Sequence, residues 1–241
     1  MGRTEDILPE VLDAGLASGN RTIRSESAKL AGLMQYRKGE PELLEMFRDR
    51  RPDISSSATR ALARLGNREI MPDLITMLDD RNTDKGEAAV FALSKLLPGD
   101  KANIQSMKDQ LASSSSTTRF RLGRVLYSLD DPEGRKIIVE EILPVPTLQV
   151  DAAMFLGKDG DLQSMDILRE RRDQRVDEVE PAQTQLVQIA AALRMGGDRT
   201  AIPALQNALR SDKFPTVQER VCELITEMGI KDLTVLIQPA L

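Results

Sequence analysis

Glu69-Ile70-Met71-Pro72-Asp73-Leu74-Ile75-Thr76-Met77-Leu78 and Thr200-Ala201-Ile202-Pro203-Ala204-Leu205-Gln206-Asn207-Ala208-Leu209 are two copies of one pattern. Pro72 and Pro203 are separated by four steps of about 33 residues, the period of a helical repeat. Ile7-Leu8-Pro9-Glu10-Val11-Leu12 is a third copy, about two such steps before the first. In each, proline stands just inside the start of an apolar run, where a helix's first turn has no use for its missing N–H. A second series marks where helices stop. It ends at Met34, Leu65, Leu96, Leu129, Leu156, Met195 and Met228, in steps of about 27 to 39 residues. Gly66, Gly157, Gly196 and Gly229 follow four of these end points and are expected to be left-handed caps. Asp130-Asp131-Pro132 and Pro98-Gly99 close two others.

Counting back four and three residues from each end point gives Leu30/Ala31, Ala61/Leu62, Ala92/Leu93, Val125/Leu126, Ala152/Ala153, Ala191/Ala192 and Leu224/Ile225. All are apolar, and with the end point they form one stripe on a helix. Alanine beside leucine lets neighbouring helices approach closely. The unit is a helical hairpin. First helices are expected near 5–17, 41–50, 69–79, 101–112, 133–143, 161–175 and 199–210. Second helices are expected near 22–35, 54–65, 84–97, 117–129, 147–157, 181–195 and 215–228. Residues 173–181 read as an insertion, and Ser113–Thr118 as a loop whose hydroxyls cap the next helix. One hairpin cannot bury its apolar face alone, so the copies must stack. The expected fold is all-α: a right-handed α-solenoid of about seven hairpins, as a single domain over 1–241.

Composition narrows the chemistry. The chain has 241 residues, 41% hydrophobic and only 3% aromatic, which disfavours a sandwich or barrel. It has no histidine, which removes His-based acid–base, nucleophile and metal chemistry. Its single cysteine, Cys222, forms no internal disulfide and is expected to be a small core residue in a reducing, cytoplasmic setting. The formal net charge is −5, so the chain as a whole does not attract nucleic acid. No apolar run approaches the length of a membrane span, and Met1–Asp6, with no apolar h-region, is not expected to be a secretion signal. Asp79-Asp80, Asp130-Asp131 and Asp159-Gly160-Asp161 lack the ligand spacing of a calcium loop and read as turns. No cofactor and no metal are expected.

Ile23-Arg24-x-x-Ser27-Ala28-x-Leu30-Ala31-Gly32-Leu33-Met34, Ala58-x-x-Ala61-Leu62-Ala63-Arg64-Leu65-Gly66 and Val217-x-x-x-Val221-x-x-Leu224-Ile225-x-x-Met228-Gly229 resemble the second helix of HEAT repeats. The likeness is strongest to the short bacterial kind also called phycobilisome-lyase HEAT-like repeats. Ala201-Ile202-Pro203-Ala204-Leu205 is identical to that family's common first-helix motif. The resemblance implies second helices lining a concave face, and it specifies packing far better than function. Deoxyhypusine hydroxylase-like relatives need His-Glu pairs for iron, which this chain lacks.

Residues five and one before each end point face away from the apolar stripe. The first column is Lys29, Arg60, Phe91, Arg124, Asp151, Ala190 and Glu223; the second is Leu33, Arg64, Lys95, Ser128, Phe155, Arg194 and Glu227. Arg121 joins them from eight residues before its end point. Lys29, Arg60, Arg64, Phe91, Lys95, Arg121 and Arg124 are therefore the candidate partner-binding residues, a basic ladder suited to carboxylates. The expected role is a non-catalytic scaffold gripping a protein partner with an acidic surface or peptide, itself a monomer. The alternatives are a bilin lyase-like enzyme subunit acting on a chromophore-bearing protein, and a weak nucleic-acid binder through the basic stripe.

Overall fold

Every expected helical stretch forms a helix. The computed structural model describes residues 4–112, 114–173, 179–211 and 213–227. Among these lie fourteen α-helices and no strand. They are α1 (Thr4–Leu16), α2 (Arg21–Leu33), α3 (Glu40–Phe47), α4 (Pro52–Leu65), α5 (Met71–Met77), α6 (Thr83–Leu96) and α7 (Lys101–Leu111). Then come α8 (Ser116–Ser128), α9 (Pro132–Lys136), α10 (Gln149–Gly157), α11 (Leu162–Asp173), α12 (Glu180–Met195), α13 (Ile202–Arg210) and α14 (Pro215–Glu227). In α1/α2, α3/α4, α5/α6, α7/α8, α11/α12 and α13/α14 an odd-numbered helix packs on the even-numbered helix that follows it as a hairpin, whereas α9 packs on α8. α9 continues as a π-helical stretch, Ile137–Ile142, with Ile137, Ile138 and Ile142 buried. Pro72 and Pro203 occupy the first turn as expected, whereas Pro9 lies inside α1.

The chain divides into two compact units, residues 1–142 and 143–241. In the first, α2, α4, α6 and α8 pack each on the next; in the second, α10, α12 and α14 do so. The apolar stripe is the shared core. Ala61, Leu62, Ala92, Leu93, Val125 and Leu126 are 0% exposed, as are Ala152 and Ala153 in the second unit. Of the fourteen stripe residues only Leu30 departs, at 40% exposed. Ala190, expected to face outward, is also 0% exposed, and Cys222, expected in the core, is exposed. Both sit one helical step from the predicted face. Among the described residues no helix is long and apolar enough to cross a membrane.

One joint recurs between hairpins. A left-handed residue (Gln35, Gly66, Asp130, Gly160 or Gly197) ends the second helix. The next residue's N–H then reaches back five positions: Tyr36 to Ala31, Asn67 to Leu62, Asp131 to Leu126, Asp161 to Leu156 and Asp198 to Leu193. This is the Schellman pattern. It corrects two expected caps: Gly157 is the last residue of α10, and Gly196 has φ −70, while Gly160 and Gly197 take the left-handed turn. Gly229 lies outside the described residues. In four of the joints the same residue caps the next helix. Asn67, Asp131, Asp161 and Asp198 accept from the N–H groups of Glu69, Glu133, Ser164 and Thr200 at 3.0, 3.0, 3.0 and 2.8 Å. A short polar acceptor there stops one helix and starts another. Asp130-Asp131 and Asp159-Gly160-Asp161, read as turns, are such joints, whereas Asp79-Asp80 lies within a hairpin, between α5 and α6.

A second recurrence ties three hairpins internally. The carbonyl near the end of the first helix receives a side chain from the second. Arg24 Nε donates to Leu16 O at 3.1 Å, Ser55 Oγ to Phe47 O at 2.9 Å and Gln218 Nε2 to Leu209 O at 3.0 Å. In the third hairpin the equivalent position is Gly86, which has no side chain to offer. Arg121, from the fourth hairpin, supplies the bond instead: its Nη1 donates to Leu78 O at 2.8 Å and Asp80 O at 2.7 Å.

Candidate functional site

The face of the second helices brings four candidate residues together. Arg60 and Arg64 lie one turn apart on α4, as Phe91 and Lys95 do on α6, so each pair shares a face. The Arg64 guanidinium stacks over the Phe91 ring, 4.9 Å from its centroid. A cation–π contact of this kind holds the guanidinium plane without consuming its N–H donors. Arg60 is half-buried, and burial pulls its pKa below the ordinary arginine value. The charges of Asp84 and Glu87 partly offset that burial, and Arg64 adds to it. The side chains of Arg60 and Lys95 make no hydrogen bond or ion pair with any described residue.

The remaining three candidates are drawn into the protein's own structure. Arg121 is 5% exposed, so its placement on the outer ladder is corrected. Its register, eight rather than five residues before the end point, turns it toward the preceding hairpin. There the space vacated at Gly86 and the carbonyls at the end of α5 hold it, and a cation at a helix C-terminus is favourable. Arg124 forms a two-pronged pair with Glu87, at 2.7 and 2.9 Å, and lies 5.5 Å from the Phe120 centroid. Lys29 is exposed but bonded to Glu26 at 2.6 Å.

A family profile described as HEAT repeats matches residues 8–94 and again 40–126. Residues 8–126 are HEAT repeats. The structure of the CpcE–CpcF complex of phycocyanin lyase from Nostoc sp. PCC7120 aligns over 94% of this chain and 91% of that chain. Its TM-score is 0.52 at 19% identity, which supports a shared all-α repeat fold. Human deoxyhypusine hydroxylase in complex with glycerol aligns over 92% of this chain and 84% of its own, with TM-score 0.44 at 17% identity. An engineered protein aligns at 0.39 and 17%, over 92% of this chain and 96% of its own. Those two scores are too low to carry an argument. A search of curated proteins finds no match.

In this HEAT array the residues that reading by periodicity missed are Asp84 and Glu87. Both lie on α6, and Glu87 claims Arg124 from α8. Their spacing to each other suggests nothing. Only stacking α4, α6 and α8 side by side shows which cations they face. Of the candidate residues, Arg60, Arg64 and Lys95 are the cations that pair with no carboxylate among the described residues, since Lys29, Arg121 and Arg124 are held by other groups.

Proposed function

We propose that the chain is a non-catalytic interaction scaffold in a reducing, cytoplasmic setting. Its Arg60–Arg64–Phe91–Lys95 face grips an acidic segment of a partner protein. One observation carries this: three neighbouring cations, one half-buried and one held on an aromatic ring, have no carboxylate hydrogen-bonded to them. A carboxylate-bearing peptide would supply the missing acceptors, and a preset guanidinium loses little freedom on binding. The nucleic-acid alternative is disfavoured because Glu26 and Glu87 neutralise both ends of the ladder, leaving too short a run to track a phosphate backbone.

The test is fluorescence anisotropy with a labelled Glu/Asp-rich peptide. Arg64→Glu/Lys95→Glu should weaken binding at least about tenfold, a loss of about 1.4 kcal/mol, with an unchanged melting temperature. Wild-type chain that does not bind the peptide, or a variant that binds as well, refutes the reading. A second reading, a subunit of a bilin lyase-type enzyme, draws on the likeness to the CpcE–CpcF complex. A coloured adduct on mixing with bilin and apoprotein would favour it.

A further inference from the structure

On α4, the end point and the residues four and eleven before it share the side of the helix that meets α2. These are Ile54, Ala61 and Leu65, exposed by 0%, 0% and 1%. The fit against α2 is close. A β-carbon on Gly32 would lie 2.6 Å from Ala61 Cα, and Ser25 Oγ is 2.7 Å from Ser57 Oγ. On α8 the first two positions are Thr118 and Val125, at 2% and 0%. On α2 the same register positions are Ile23, Leu30 and Met34, exposed by 51%, 40% and 51%. Leu33, at 64%, adjoins them. The stripe that α4 buries is open to water on α2.

We propose that a second copy of this chain covers it, with the two α2 helices packed antiparallel across a two-fold axis. Three features favour a second copy. The stripe carries large residues at both ends, so reversing it sets Ile23 of one copy against Met34 of the other, with the two Leu30 side chains near the axis. Residues that fill space suit two like faces meeting, whereas the Ala28–Gly32 face of α2 is already occupied by α4. The third feature is charge. Glu26 and Lys29 lie on one flank of the stripe. A two-fold axis across α2 keeps that flank on the same side and reverses its direction, which brings each Lys29 beside the other copy's Glu26. An interface of this kind is isologous and closes at two copies. It leaves Arg60, Arg64, Phe91 and Lys95, on other helices, outside the contact.

Sedimentation equilibrium of the full chain tests this. The wild type should be dimeric at about 100 μM and dissociate on dilution, as mass action requires. Leu30→Glu should be monomeric at every concentration with its far-UV spectrum and melting unchanged at low concentration, because Leu30 is an exposed position. Leu30→Cys in a Cys222→Ser background should form a covalent dimer on mild oxidation. A monomeric wild type, a dimer indifferent to Leu30→Glu, or a dimer that residue 30 does not cross-link would each overturn the proposal.

Discussion

At Gly86 an absent side chain makes room for a buried cation. A β-carbon there would overlap the Arg121 guanidinium, which satisfies the Leu78 and Asp80 carbonyls. Ser55, at the same register in the preceding hairpin, satisfies its carbonyl from within. The two solutions are mutually exclusive in space, so the two sites should be coupled. Arg121→Leu should cost about 1–3 kcal/mol by stranding buried acceptors. Gly86→Ser should cost about as much by crowding the guanidinium. The double variant should fall short of their sum by about 0.5–3 kcal/mol, since its serine can take over the Leu78 carbonyl. Urea unfolding of the four proteins closes the cycle, and strict additivity would refute the exchange.

Helix α4 is the element most enclosed by its neighbours, and its polar residues show the consequence. Ser55, Ser56, Ser57 and Thr59 are all buried. Ser55 bonds the Phe47 carbonyl, Ser57 bonds Ser25 from α2 at 2.7 Å, and Thr59 bonds the Ser55 carbonyl at 2.7 Å. Ser56 Oγ has no hydrogen-bond partner among the described residues. Repeating the Ser25–Ser57 register one step along the array sets Ser56 toward Ala88, which is 0% exposed and has no hydroxyl. A buried hydroxyl without an acceptor costs more than the methyl group that could replace it. Ser56→Ala should therefore raise unfolding free energy by about 1 kcal/mol, whereas Ser57→Ala should lower it by a similar amount by orphaning Ser25. Thermal melts of the two single variants decide it; equal signs would show that the hydrogen-bond assignment along α4 is wrong.

At the scale of the whole molecule, the joints between hairpins depend on ionised carboxylates. Asn103's side chain, its backbone N–H and Arg68 hold Asp100 below the ordinary carboxyl value. Burial opposes ionisation of Asp131, yet the Lys108 ammonium, 2.7 Å away, outweighs it and the pKa is lowered. Asp198 is held at about 2, first by the Thr200 hydroxyl, against burial, with Arg169 Nε at 2.7 Å adding to the effect. All three bind their proton less tightly folded than unfolded, where an aspartate titrates near about 3.9. As pH falls the unfolded chain takes up protons first, so this stability is full above about pH 5 and is lost from about pH 4 downward as each folded pKa is passed. Asp198→Asn should flatten that loss between about pH 4 and 2 in melts taken across the range. An unchanged acid slope would show that Asp198 contributes nothing to it.

The helices, most of their ends and the buried stripe were legible in the chain itself, because helical spacing fixes which residues share a face and capping chemistry fixes where a helix stops. That Arg60, Arg64, Phe91 and Lys95 share a face was legible for the same reason. Tertiary structure alone decided which of the ladder's cations remain unclaimed. The capture of Arg124 by Glu87, the burial of Arg121 beneath Gly86 and the exposure of Leu30 at the outer face of α2 each depend on what the adjacent hairpin places opposite. Periodicity within one helix carries no information about that opposing residue, since the distance between them is set by packing and not by position along the chain.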